Sequence, residues 1–216
     1  MTNSLKNTAR LLGAGLRALL ALTLVTGVLY PLAVTGVAQG LFHHQANGSE
    51  IRADGRVAGS SLIGQQGYDL DHFQPRPAHG LGRNTLNTRY DLVVSGATNL
   101  AADNEVLVRQ VEEARARVIR DNSVPGHTVK PSQVPADAVT SSGSGLDPDI
   151  SPAYARLQVH RVAQRNGLPV ARVERLVRDH TRGRTLGFMG EPRVNVLQLN
   201  VALDELADEG PAGPAS

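Results

Sequence analysis

Residues 141–152, "SSGSGLDPDISP", hold the densest set of reactive side chain types in this sequence. The hydroxyls of Ser142 and Ser144 and the carboxylates of Asp147 and Asp149 sit on a loop that mixes glycines with Pro148 and Pro152. A serine nucleophile of the hydrolase kind needs Gly-x-Ser-x-Gly at a strand-to-helix elbow and a base within reach. The chain offers Gly143-Ser144-Gly145, which lacks that spacing, and no sequence rule ties His127, His160 or His180 to Ser144. Asp147 and Asp149 flank a proline, but a calcium loop needs more oxygen ligands at fixed offsets. Turn-forming and helix-capping aspartates are the simpler reading. The histidines form no zinc signature, and there is no Gly-x-x-x-x-Gly-Lys-Ser/Thr phosphate loop. With no cysteine, thiolate catalysis, disulfides and cysteine zinc sites are excluded. Arg172, Arg175 and Arg178 recur at a spacing of three. They form either a solvated face balanced by Glu174 and Asp179, or a site for phosphate, lipid headgroups or an acidic partner.

The composition points the same way. Among 216 residues the net charge is only +2, and aromatic residues make up 3%. Neither a basic field nor stacking platforms for nucleic acid are present, so nucleic acid is not an expected partner. The chain carries no self-sufficient catalytic kit, which points to an accessory subunit.

The elements that position these residues begin with a membrane span. Residues 18–42, "ALLALTLVTGVLYPLAVTGVAQGLF", contain no charged side chain. About 20 helical residues cross the hydrocarbon layer. Lys6, Arg10 and Arg17 precede the run, which favours a cytoplasmic N-terminus, residues 1–17, and everything after residue 42 outside. Arg52 and Arg56 on the far side weaken that bias. A cleaved signal peptide, with Gly36-Val37-Ala38 as cleavage site, is the competing reading, but its apolar region would span only roughly 7–15 residues. Thr23 and Gly27 lie four apart, as do Gly36 and Gly40, a spacing that lets a second helix approach closely. Pro31 is expected to kink the helix, with a neighbour or Thr26 satisfying the released backbone.

Residues 43–56 read as a juxtamembrane connector and 57–204 as a single α/β domain, with 205–216 as a disordered tail. Within the domain, a brief strand is expected around Val57 or Leu62-Ile63, and an ordered surface loop over 66–99. A helix over 103–120 has Leu107, Val111, Ala114 and Val118 as its apolar stripe. Residues 122–136 read as a proline-containing connector. The best-marked helix follows, capped by Ser151, with Pro152 in its first turn, Gly167 after its end, and Ala155, Val159, Val162 and Ala163 facing inward. A further helix covers about 170–181, with Val173, Leu176 and Val177 inward. The stretch 193–203, "RVNVLQLNVAL", is either a strand that switches faces or a strand running into a short helix.

Several blocks resemble one family, the C subunit of the Kdp potassium-transporting P-type ATPase. They are "SSLIGQ" (60–65), "FQPRP" (73–77), "SGATNLAADN" (95–104), "VPADAVTSSGSGLDPDISPAYARLQVHRVAQRNGL" (134–168) and "GRTLGFMGEPRVNVLQLNVALD" (183–204). The likeness runs nearly end to end. The chain departs from the family at Ala97-Thr98, where Gly-Ser is usual, at Asp149, where histidine is frequent, and at Ala78-His79, where Ser-Ala is frequent. The resemblance implies an accessory subunit of a high-affinity potassium importer, in the cell membrane. Its partners would be a channel-like potassium-selecting subunit, a P-type pump subunit that hydrolyses ATP, a small membrane peptide and membrane lipid. The family's C subunit is needed for assembly and has been described as a catalytic chaperone raising the pump's ATP affinity. The glutamine implicated lies in a Gln-x-x-Arg setting, here Gln158 and Arg161. An extracytoplasmic domain meets an objection here, since about 30 Å of hydrocarbon separates it from cytoplasmic ATP. A cytoplasm-facing nucleotide-binding module is the alternative. No cofactor is expected on this chain itself; ATP would enter through the pump subunit. Residues 142–148 are expected to shape the domain or to dock on the channel-like subunit.

Overall fold

The computed structural model describes residues 2–53, 55–77 and 95–210. Its contacts divide the chain after Ser49.

The first unit is helical almost throughout. Helix α1 (Thr2–Leu24), a π-helical turn (Val25–Leu29) and α2 (Tyr30–Leu41) follow without a break, and α3 (His43–Ala46) comes after Phe42. Lys6–Leu41, 36 residues, is long and apolar enough to cross a membrane. At 1.5 Å per residue it spans about 54 Å, well beyond the roughly 30 Å hydrocarbon layer. The π turn sits just before Pro31, where the Tyr30 amide donates to the carbonyl of Val25, five residues back. A proline in a helix lacks an amide donor and crowds the carbonyl four residues earlier, and the wider turn accommodates both. Thr26 takes a different part from the expected one. Its hydroxyl donates to the Leu22 carbonyl at 2.8 Å, one turn behind itself, on the side away from the proline.

Among its described residues the second unit mixes helices with two small antiparallel sheets. Strands β1 (Glu50–Ala53) and β2 (Arg56–Ser60) form a hairpin with a bulge between Ile51 and Arg52. The other sheet has the order β3 (Asp149–Ile150), β5 (Arg193–Asn195), β4 (Thr181–Arg182). The expectation of an α/β domain holds as a mixture of helix and sheet; among the described residues the pairing is antiparallel, without parallel crossovers. The α-helices of its described residues are α4 (Glu105–Asn122), α5 (Pro152–Arg165), α6 (Val170–Asp179) and α7 (Val196–Asp208); α5 and α7 pack on β5, and α4 and α6 pack on α5.

Local sequence explains the helix ends. Asn104 caps α4 by accepting from the Val106 amide at 2.8 Å. Ser151 caps α5 through the Tyr154 amide at 3.0 Å, with Pro152 in the first turn. At the other end of α5, Gly167 adopts φ +64°. The Leu168 amide then reaches back to the Ala163 carbonyl and the Gly167 amide to that of Gln164, a Schellman closure that turns the buried Leu168 inward. Asn195 ends β5 and starts α7, accepting from the Gln198 amide at 3.1 Å. The core gathers Ala114 and Val118 of α4, the expected inward face of α5, Val173 and Val177 of α6, and Leu199 and Leu203 of α7.

Four expectations need correction. The connector 43–56 contains α3 and β1, because Glu50-Ile-Arg-Ala finds a partner strand immediately after it. The strand at 57 exists, but Leu62 and Ile63 lie exposed in the turn beyond it. The region 193–203 is a three-residue strand followed by a helix of 13 residues, longer than expected, which carries regular structure past residue 204 to Asp208. In the presumed surface loop, residues 66–77 lack regular structure, yet Phe73 is 0% exposed. Its portion 78–94, including Ala78 and His79, and the end of the tail, 211–216, lie outside the described residues.

Candidate functional site

Residues 68–74 form a strap with irregular backbone running into the core. Such a segment must find partners for its amides and carbonyls outside helix and sheet. Side chains supply them. Gln158 on α5 accepts from the Gln74 amide at 2.7 Å and donates to the Gln74 carbonyl at 3.1 Å. Asn200 on α7 treats Phe73 the same way, accepting at 2.8 Å and donating at 3.0 Å. Asn166 donates to the Asp71 carbonyl at 2.8 Å. In effect, two amide side chains pair with the strap as a neighbouring strand would.

Arg161 completes the arrangement one turn after Gln158. Its Nη1 donates to the carbonyls of His72, at 2.8 Å, and of Leu70. Its Nε donates to Asn122 Oδ1 at 2.9 Å, and its Nη2 to Gln158 Oε1 at 2.7 Å. Gln158 is 0% and Arg161 1% exposed. Burial pulls the Arg161 pKa down to about 10, which still leaves the guanidinium charged at neutral pH. Its hydrogen-bond partners are neutral oxygens, so dipoles carry its solvation.

The strap's outer side is pinned ionically. His72 Nδ1 lies 2.7 Å from Asp71 Oδ1, and Nε2 2.8 Å from Asp204 Oδ1 on α7. Burial alone would lower the His72 pKa; the two carboxylates outweigh it and raise it. A cleft of about 320 Å³ lies alongside, walled by Gln74, Arg76, Arg117, Asp121 and Tyr154. Burial pushes the Tyr154 phenol up to about 12.

The reactive-looking loop, 141–152, is also engaged within the domain. Asp147 Oδ2 meets Arg76 Nη1 at 2.9 Å, and Oδ1 accepts from the Asp149 amide at 3.0 Å. The Arg76 guanidinium also donates to the carbonyls of Thr140 and Ser141. The Leu146 carbonyl accepts from the Gly64 amide at 2.7 Å, and the Pro148 carbonyl from the Val196 amide at 3.0 Å. A Cβ on Gly64 would lie 2.5 Å from the Asp147 carbonyl oxygen, so only glycine fits where the blocks 60–65 and 141–152 touch. Gly145 is buried at positive φ, and Ser142 is half-buried; Gly143 and Ser144 are exposed. The Ser144 hydroxyl bonds the Leu146 amide and the Ser142 hydroxyl, and no histidine bonds it among the described residues.

The other candidates separate as well. His127 and His160 stack face to face, ring centroids 3.7 Å apart, while the His180 ring bonds the Leu176 carbonyl. Among the described residues no group of three or more His, Asp or Glu side chains could hold a metal ion. In the arginine row, Arg172 bonds Glu209 and the Gly210 carbonyl, Arg178 lies 3.9 Å from Glu174, and Arg175 is exposed. On the membrane-type helix, Thr23, Gly27, Gly36 and Gly40 are all exposed. A Cβ on Gly27 would lie 3.9 Å from Thr23 Cγ2, so this pair shares a face through the π turn.

The resemblance placed Gln158 and Arg161 at a nucleotide, but the structure places them in the interior, holding the strap. The residues that sequence reasoning missed are Asn122, Asn166, His72, Asn200 and Asp204. A signal was available for two of them: Asn122 falls four after Val118, and Asn200 between Leu199 and Leu203, polar side chains on apolar stripes.

A family model described as "K+-transporting ATPase, c chain" matches residues 12–205. The chain is 66% identical over 222 residues to a potassium-transporting ATPase KdpC subunit from Streptomyces coelicolor, covering 97% of this chain and 99% of that one. It is 48% identical over 188 residues to the subunit of that name from Mycobacterium bovis, covering 87% and 94%. For the one from Gemmatimonas aurantiaca the identity is 50% over 192 residues, covering 89% and 91%. The matched span contains the strap, the side chains that hold it and the 141–152 loop, and by this match the chain belongs to the KdpC family, the C chain of the K+-transporting ATPase.

Proposed function

We propose that this chain is a non-catalytic, single-pass subunit that stabilises the assembled potassium transporter, with its N-terminus in the cytoplasm and residues 50–210 outside. The observation that carries this reading is the burial of Gln158 and Arg161. The polar groups that would meet a nucleotide are enclosed and engaged with the strap, at 0% and 1% exposure. An influence on the pump's ATP affinity then acts through the conformation of the complex, by binding one state better than another. Lys6, Arg10 and Arg17 ahead of the apolar run support the orientation. The partners are the channel-like potassium-selecting subunit, the pump subunit and the small membrane peptide, with lipid around the helix. Docking of residues 142–148 on the channel-like subunit is the remaining part of the proposal; the exposed Gly143 and Ser144 are its contact points.

Two measurements test it. Protease added to intact cells should remove the domain of this chain, and cleavage confined to inverted vesicles would favour a cytoplasm-facing nucleotide module instead. Gentle detergent extraction through a tag on this chain should recover multi-span partners with potassium-dependent ATP hydrolysis. Recovery of this chain alone would sink the subunit reading.

A further inference from the structure

The hairpin joining β4 to β5 is an arm, and among the described residues nothing packs on its far end. Every residue from 182 to 192 is exposed. At its tip stand three large apolar side chains within four positions: Leu186 at 79%, Phe188 at 71% and Met189 at 51% exposure. The tip is nevertheless shaped. The amides of Thr185 and Met189 exchange hydrogen bonds with each other's carbonyls, both at 2.9 Å, and the Gly187 amide donates to the Arg184 carbonyl at 3.0 Å. Leu186 is held at φ +55°, a left-handed conformation that a leucine seldom adopts.

We propose that this tip is a preformed apolar plug that seats in an apolar socket on the extramembrane surface of another protein subunit of the transporter. The inference rests on the subunit reading above. Three features select that occupant. The tip is small: three side chains offer on the order of 400 Å², so a symmetric pair of tips would bury about 800 Å² in total, below the roughly 1,200 Å² at which stable interfaces begin. A second copy of this chain could not be held by it. A partner already fixed in the same complex could, because tethering raises its effective concentration. The arm's charges also argue against a lipid surface. Arg184 is clamped by both carboxylate oxygens of Glu191, at 3.1 and 2.9 Å, and Arg182 donates to Gln198 at 2.9 Å. Headgroup binding takes clusters of about 4–8 basic residues. Finally, lipid accepts an apolar loop of any shape, whereas a strained and hydrogen-bonded loop matches a shaped protein pocket.

The test uses the full chain expressed with its complex in native membranes. A photo-crosslinking phenylalanine analogue replaces Phe188, and separately Phe188→Ser and Met189→Ser are combined. The expected results are a covalent adduct with another subunit and a loss of about tenfold in partner recovered by the double variant in detergent. Adducts only with lipid, adducts only with a second copy, or unchanged recovery without any protein adduct would each overturn the plug. If the unsubstituted chain itself recovers no partner, the subunit reading fails and the plug with it. If it recovers partners while the tip neither crosslinks nor matters, the plug alone fails.

Discussion

Arg161 brings a charge into a core where its hydrogen-bond partners are a glutamine, an asparagine and two backbone carbonyls. Those acceptors lose their donor together if the side chain is removed. Arg161→Ala should therefore destabilise the domain by about 3 kcal/mol or more, read by chemical denaturation of the detergent-solubilised chain. Gln158→Ala should lower stability as well. If it instead weakened nucleotide binding in the assembled complex at unchanged stability, the interior role would be wrong. His72 gives a pH signature. Its folded pKa lies above the ordinary 6.5, so its bonds to Asp71 and Asp204 contribute fully below about 6.5 and are lost as pH rises through the raised value. The Asp71 carboxyl shifts down, so its own contribution persists until pH falls through that lowered pKa. The His72 contribution should thus shrink from mildly acidic toward alkaline pH, while His127, whose pKa is lowered, acts in the opposite direction, so His72→Gln should make stability rise more with pH than in the wild-type chain.

At the scale of elements, the contact between residues 60–65 and 141–152 is the most demanding fit. Gly64→Ala should cost about 1–3 kcal/mol, because the added methyl meets a backbone carbonyl that cannot swing away. A drop in melting temperature with no change in the secondary structure signal is the expected readout. Helix α5 was legible because serine, proline and glycine mark its ends and four apolar positions repeat between them. What that pattern concealed was Gln158 and Arg161, since polar residue types suggest a surface while their positions lie on the buried face. The strap was illegible for another reason. Residues 68–74 have no period, and their partners lie in α5, at its C-terminal end and in α7, distant in sequence. In 193–203, the alternation left a switching strand and a strand running into a short helix both open, and the structure takes the second, with α7 started by one capping asparagine at 195.

For the molecule as a whole, the helix long and apolar enough to cross a membrane is legible from length and composition alone, while its use is a matter for its neighbours. Among the described residues, a Cβ on Gly36 or Gly40 meets no atom within 4 Å beyond its chain neighbours and the helix backbone. Replacing both by leucine should leave insertion and domain folding intact and reduce partner recovery severalfold, if a second helix packs there. Equal recovery would assign those glycines to the chain's own flexibility.

The strap also fixes an order of events during synthesis. The Phe73 ring is 0% exposed in the core, and its backbone amide bonds Asn200 Oδ1, 127 residues downstream. At roughly 5–20 residues per second, the ribosome takes on the order of ten seconds to bridge that interval. Throughout it a bulky aromatic ring waits uncovered, inviting chaperones or proteases. A message truncated ahead of codon 200 would yield a product that never closes and is marked for clearance.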